Sequence, residues 1–306
     1  MAKDTARRDG EQGEQAGREP SRRTGGEQGE RTAGERGART GGGESARTGG
    51  RGAMAEPAEP ADPAAEPAGG GKVAMVTGGS RGIGRAVVEA LLRAGYRVYF
   101  GSRTQDSVNR ALADLRSRHG AAVAGRPLDV RRQEQVDAFV EWVIAQAGRV
   151  DCLVNNAGMG IFGPVYGLSG DQWREVLDTN LSGAFYCIRA VAETMKEQGA
   201  GWIFNIASLA SKNAMVGGAA YNASKFGLLG LSEAAMLDLR QFGVRVAAIL
   251  PGSVDTSFGN PGARTGDQSW MLAPEDVAAM VLHLLTYPDR ALPSLVEMRP
   301  TRPPKR

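Results

Sequence analysis

Between residues 71 and 306 the sequence predicts one doubly wound α/β domain, a parallel sheet of seven strands with helices on both faces. Three observations carry this. Short apolar runs alternate with amphipathic segments from Lys72 onward, no hairpin signal separates any two runs, and a glycine-rich turn joins the first run to the first amphipathic segment. Strands that follow one another without hairpins need crossovers, and right-handed crossovers build a parallel sheet covered on both sides.

The first run, Val73-Ala74-Met75-Val76 after Lys72, is uncharged, as suits a strand buried on both faces. Behind it Val87, Val88, Leu91 and Leu92 repeat at helical spacing. Between the two, Gly78, Gly82 and Gly84 remove side chains where a backbone must approach a diphosphate, and the free amides of the helix start attract its charge. In a chain with 43 glycines the spacing alone says little; the strand before it and the helix after it make it a dinucleotide cradle.

A second strand follows at 97–102 and a helix over about 104–119, with Val108, Ala111, Leu112 and Leu115 on one face. The third strand, near 121–128, ends in Asp129, and a helix over 131–147 places Val136, Phe139, Val140, Val143 and Ile144 at helical spacing. Val150 to Gly158 reads as the fourth strand and its exit turn. The second half repeats the pattern: a long helix over about 171–198, a strand at 202–207, a helix over 219–242 and a strand at 244–250. A helix over 274–285 with Pro274 at its start and a last short strand near 295–298 complete the domain. In such sheets ligands bind beyond the carboxyl ends of the strands, and the glycine turn, Ser102-Arg103, Asp129, Asn155 to Gly158, Ser208 and Pro251-Gly252 all follow a strand.

Residues 1–70 stand apart. They contain no Leu, Ile, Val, Phe, Tyr, Trp or Cys, and Arg-Thr-Gly-Gly recurs at 23–26, 39–42 and 47–50. Without apolar area to offset backbone entropy this tail is expected to be disordered, and Met54 is a second candidate start. Its 11 Lys+Arg against 13 Asp+Glu make it near neutral, so no nucleic-acid partner is implied, and the remaining 26 against 21 leave a mild positive excess. No apolar run of membrane-spanning length or secretory h-region is present, and Cys152 and Cys187 read as core residues, so a cytoplasmic protein without a membrane partner is expected.

Tyr221 and Lys225, four residues apart near the start of a helix, share one face one turn apart. With Ser208 after the preceding strand, a phenol, an ammonium and a hydroxyl can meet where the glycine turn directs a dinucleotide.

These residues together make the chain resemble the short-chain dehydrogenase/reductase family, in its short single-domain branch, over 72–300. The motifs are Thr77-Gly78-Gly79-Ser80-Arg81-Gly82-Ile83-Gly84, Asn155-Asn156-Ala157-Gly158, Asn180, Ser208, Tyr221 with Lys225, and Pro251-Gly252-Ser253-Val254-Asp255-Thr256. The resemblance implies a Rossmann fold and a catalytic set of Asn180, Ser208, Tyr221 and Lys225. Tyr221 is then the general acid/base, Lys225 binds the nicotinamide ribose and stabilises phenolate, Ser208 holds the carbonyl oxygen, and Asn180 fixes a water. Taken alone, Asn180 reads equally as a helix-kink or capping residue. The resemblance also implies that Gly78, Ser80, Arg81, Gly82, Ile83, Gly84, Arg103, Asp129, Asn155, Tyr221, Lys225 and Thr256 bind the cofactor, with Asp129 at the adenine and Thr256 at the carboxamide. No metal ligands are assigned.

Gly101-Ser102-Arg103 has no carboxylate to accept ribose hydroxyls, and Arg103 and Arg81 can pair with a 2′-phosphate, so NADP(H) is expected over NAD(H). Met159, Ile161, Phe162, Leu209, Val216, Phe258 and Trp270 fall in segments the family uses around substrate and favour an apolar or acyl ketone over a free sugar. Similarity to 3-oxoacyl-carrier-protein reductases fits, without any feature that demands a carrier partner. The expected function is an oxidoreductase of small carbonyl and alcohol substrates, with a homodimer or homotetramer implied by resemblance. The alternative is a non-catalytic NADP(H)-binding regulatory or scaffold protein, for which the four catalytic residues have no use.

Overall fold

Seven parallel strands lie in the order 3-2-1-4-5-6-7 in the computed structural model, which describes residues 71–258 and 267–304. The tail expected at 1–70 lies outside the described residues. The strands are β1 (Val73–Thr77), β2 (Arg97–Ser102), β3 (Val123–Pro127), β4 (Cys152–Asn155), β5 (Gly201–Ile206), β6 (Val244–Pro251) and β7 (Leu295–Met298). Strand order reverses between β1 and β4, which pair through Ala74 and Cys152. A crevice opens at that reversal, beyond the carboxyl ends of the strands.

The helices are α1 (Gly82–Arg93), α2 (Gln105–His119), α3 (Gln133–Ala147), α4 (Gly170–Leu177), α5 (Gly183–Gln198), α6 (Ala219–Leu239) and α7 (Pro274–Leu285). Alternation along β1 splits its side chains between two cores. Ala74 and Val76 join α1, α2 and α7 on one face, and Val73 and Met75 join α3, α5 and the end of α6 on the other. Phe100 fills the first core so fully that a Cβ on Gly79 would strike its Cβ at 2.6 Å and a Cβ on Gly125 would strike its ring at 2.8 Å. Truncating such a residue to alanine costs about 3–5 kcal/mol.

Three elements depart from the sequence expectation, the first being the helix over 219–242, which ends at Leu239 and closes in a 3-10 turn at Arg240–Phe242. β3 begins at Val123, because Gly120–Ala122 close α2 with a tight 3-10 turn. The long helix over 171–198 is two helices separated by a wide π turn at Asp178–Ser182. Thr179 Oγ1 donates to the Glu175 carbonyl at 2.7 Å, and buried Asn180 is pulled toward Met159 and Ser224, so the helical ladder opens where those side chains are held.

Candidate cofactor and catalytic site

The turn after β1 is built for close approach. Gly78 and Gly82 take positive φ (67° and 56°), and a Cβ on Gly84 would collide with the Asn156 amide and the Gly78 carbonyl. Asn156 clamps the turn, its Nδ2 donating to the Thr77 and Gly78 carbonyls at 3.0 and 3.2 Å. Thr77 Oγ1 completes the clamp by accepting from the amides of Asn156 and Ala157, each at 3.0 Å. At the start of α1, Arg81 gives no side-chain cap and the first turn carries no acid. Uncapped amides beside a glycine cradle are what a diphosphate requires, so the residues present fit a dinucleotide.

A cleft of about 600 Å³ runs along this edge. At one end it is lined by Ser80, Arg81, Ser102, Arg103, Ser107 and Arg110, and at the other by Ser208, Tyr221 and Lys225, with Gly82, Ile83, Asp129 and Thr256 also on its wall. Ser80 and Ser102 share a hydrogen bond of 2.8 Å, and Arg81 Nη1 donates to Ser257 Oγ at 2.9 Å. Ser107 and Arg110, on the cleft face of α2, were not among the expected residues; their spacing of three along the helix was the available signal.

Asp129 lines the cleft with its carboxylate already taken. Arg131 grips it through Nε at 2.9 and 3.0 Å and Nη2 at 2.6 Å, and holds the carboxyl below its ordinary range. Asn155 departs further from expectation, since it does not line the cleft. It is the last residue of β4, opposite Asn205 of β5, and its Nδ2 donates to Asn205 Oδ1 at 2.9 Å within the sheet. Asn156, one residue on, reaches the glycine turn instead.

At the other end of the cleft Ser208 and Tyr221 are partly buried and Lys225 is buried. Tyr221 lies in the first turn of α6, and burial pushes its phenol pKa up, opposed by a hydrogen bond with Ser208. The Ser208 Oγ also accepts from the Ala210 amide at 3.1 Å, which fixes its rotamer. Lys225, one helical turn beyond Tyr221, is buried with its Nζ 2.9 Å from the Ile206 carbonyl and 5.9 Å from the phenol ring centroid. Burial lowers its pKa to about 8, and among the described residues no carboxylate pairs with it. Asn180 does not face the cleft. Its Oδ1 accepts from the Met159 amide at 2.8 Å, while Nδ2 donates to the Met159 carbonyl at 2.8 Å and Ser224 Oγ at 2.9 Å.

Of the apolar residues expected around substrate, Met159 and Phe258 line the cleft, and Phe162 and Phe258 both stand against the Tyr221 ring, with centroids 5.5 and 5.7 Å away. Ile161, Leu209, Val216 and Trp270 are not on its wall. Such an arrangement can hold an extended anionic ligand at the glycine turn and move a proton at the Tyr221 hydroxyl.

Comparison with known proteins agrees with this geometry. The family model described as short chain dehydrogenase matches residues 72–265. A Streptomyces virginiae protein assigned as a ketoacyl reductase of the monensin polyketide synthase is 41% identical over 187 residues, covering 60% of this chain and 71% of that one. A 3alpha-hydroxysteroid dehydrogenase of Mediterraneibacter gnavus is 37% identical over 188 residues, with 61% and 75% covered. The crystal structure of a metagenomic short-chain oxidoreductase in complex with NADP matches with TM-score 0.66 at 36% identity, covering 76% of this chain and 98% of that one.

Proposed function

Because the chain belongs to the short chain dehydrogenase family of oxidoreductases, we propose that it is an NADP(H)-dependent enzyme interconverting an apolar or acyl ketone and its secondary alcohol. The carrying observation is that Ser208, Tyr221 and Lys225 line the same cleft as the glycine turn. When bound, the dinucleotide supplies or accepts the hydride.

The glycine turn and the uncapped amides of α1 hold the diphosphate. Arg81 and Arg103, beside a β2 end without a carboxylate, meet the 2′-phosphate with forked donors, and NADP in the similar metagenomic oxidoreductase supports that choice. Thr256 and Ile83 border the glycine turn, and Asp129, ion-paired with Arg131, walls the adenine end. Lys225 holds the nicotinamide ribose.

Tyr221 donates its proton to the substrate carbonyl oxygen and takes it back in the oxidative direction. Burial keeps the phenol protonated, the form the donor needs. The reverse step needs phenolate, which the Lys225 ammonium favours by charge. Ser208 holds the carbonyl oxygen beside the phenol. Asn180 is assigned a positioning role, since its side chain ties the Met159 backbone to Ser224 on α6. Phe185, Phe226 and Leu237, exposed on α5 and α6, support a homo-oligomer joined through those helices.

The reading is tested by NADPH oxidation against a panel of acyl thioesters, diketones and steroid ketones. Turnover of at least one class, with a higher kcat/KM for NADPH than NADH, is expected. Tight NADPH binding without turnover of any ketone or alcohol would instead favour a regulatory binding protein.

A further inference from the structure

Asn222 follows Tyr221 in the first turn of α6 and is buried, 8% exposed. Its side-chain amide is committed to the loop after β5. Nδ2 donates to the carbonyls of Ala210 and Asn213 at 2.8 and 3.0 Å, and Oδ1 accepts from the Met215 amide at 3.1 Å. Two donors and an acceptor at this reach belong to Asn: Asp lacks the donors, Ser has one, and Gln is a methylene longer. Gly218 makes room for it, since a Cβ there would stand 2.5 Å from Asn222 Oδ1. Ser208 stands at the start of the same loop. Ala210 is held from both sides, its amide donating to Ser208 Oγ at 3.1 Å and its carbonyl accepting from Asn222. Ser208 in turn hydrogen-bonds Tyr221. A closed ring thus runs from Tyr221 through Asn222, Ala210 and Ser208 back to Tyr221.

The geometry points to Asn222 as a positioning residue, which holds the loop after β5 so that the Ser208 hydroxyl stays on the Tyr221 phenol. This rests on the roles proposed for Ser208 and Tyr221 and adds to them a residue that is not on the cleft wall. A buried Asn that served the fold alone would act on stability. One that closes this ring acts on the reaction through Ser208, because a misplacement of about 1 Å in a reacting group costs up to about 10² in rate.

The test compares Asn222→Ala, Ser208→Ala and their double variant in NADPH-dependent ketone reduction. Asn222→Ala should lower kcat roughly 10- to 100-fold with the NADPH Kd unchanged. Added to Ser208→Ala it should lower kcat by less than about twofold more, because the hydroxyl it positions is already gone. Ser232→Ala removes another buried hydroxyl of α6, one that accepts from Asn205 at 2.8 Å, and should lower Tm while leaving kcat at the parent value. If Asn222→Ala fails to bind NADPH, Asn222→Ser, which keeps one donor, replaces it with the same expectation. A parent kcat in the single variant, or a full further loss in the double variant, overturns the inference and leaves the reductase reading intact.

The phenol itself reports without turnover. In protein carrying 3-fluorotyrosine, whose phenol ionises at lower pH, the fluorine NMR signal lost in Tyr221→Phe follows the titration of Tyr221. The Ser208 bond lowers that pKa, so Asn222→Ala should raise it as Ser208→Ala does, and the double variant should raise it no further. Lys225, its Nζ 5.9 Å from the ring centroid, faces the phenol in every variant. An upward shift in a protein that reduces no ketone sustains the positioning role and removes the reductase reading. A titration that does not move in Asn222→Ala overturns the inference whether or not ketones are reduced.

Discussion

Glu89 on α1 and Lys225 on α6 are both held far from their ordinary pKa, and by opposite means. Burial raises the Glu89 carboxyl, but hydrogen bonds from Arg118 and Arg85 outweigh it and bring the pKa to about 2. Arg93 also reaches Glu89, at 2.8 Å, and Asp114 pairs with Arg85 and Arg118, so α1 and α2 are tied by a closed set of charges. Lys225 donates to the Ile206 carbonyl, among the described residues it pairs with no carboxylate, and burial takes its pKa from 10.5 to about 8. Charge that serves the fold is matched within the fold. On the proposed reading, the charge of Lys225, held in the cleft without a carboxylate, is kept for the dinucleotide.

The comparison breaks most sharply at Tyr221, one helical turn from Lys225 on α6. Tyr221→Phe keeps the ring and its packing on Phe162 and Phe258 but removes the proposed proton donor. A fall in kcat of roughly 10² to 10⁴ is expected with NADPH affinity unchanged, by steady-state rates and fluorescence titration. Turnover near the parent rate would remove Tyr221 from the chemistry. Next in size, Arg81→Ala/Arg103→Ala should lower the NADPH-to-NADH ratio of kcat/KM by roughly 10- to 100-fold, the scale of one charge-assisted hydrogen bond. An unchanged ratio would assign these arginines to the solvated surface.

The smallest effect belongs to the closed network. Glu89→Gln should cost about 1–2 kcal/mol in urea unfolding, since the site is partly screened by solvent, and leave kcat alone. Because the folded pKa of about 2 lies below the ordinary 4.5, the carboxylate's contribution is full above about pH 4.5 and fades as pH falls toward 2. Parent and variant should therefore converge in acid. A loss of turnover in Glu89→Gln without a loss of stability would contradict the division between the two charges.

Much of this was legible in the sequence because it is local or periodic. The seven strands, the glycine turn and the Tyr221 and Lys225 spacing depend on alternation and on residues within one turn of each other. What was hidden depends on side-chain direction. Asn155 and Asn156 look alike in sequence, but consecutive residues at a strand end point to opposite sides, so one joins Asn205 and the other clamps Gly78. The π turn at Asp178–Ser182 leaves helical spacing nearly intact on either side, and only the grip of Met159 and Ser224 on Asn180 reveals it. Asp129 was captured by Arg131 two residues away, a local choice that competes with any ligand.

The central claim, that Lys225 is an uncompensated buried cation kept for the dinucleotide, is tested most directly by the thermal stability of Lys225→Met against pH, with and without NADPH. Lowering the ammonium pKa from 10.5 to about 8 corresponds to about 3 kcal/mol against the charged native form, partly offset in the variant by the lost Ile206 bond. This penalty is full below about pH 8 and disappears as pH rises to about 10.5, where both folded and unfolded lysine are neutral. The account predicts that the cofactor-free variant melts above the parent at neutral pH, that the advantage fades through that alkaline window, and that NADPH raises its Tm less than it raises the parent's. A variant that melts below the parent at neutral pH and keeps the full NADPH shift would contradict it.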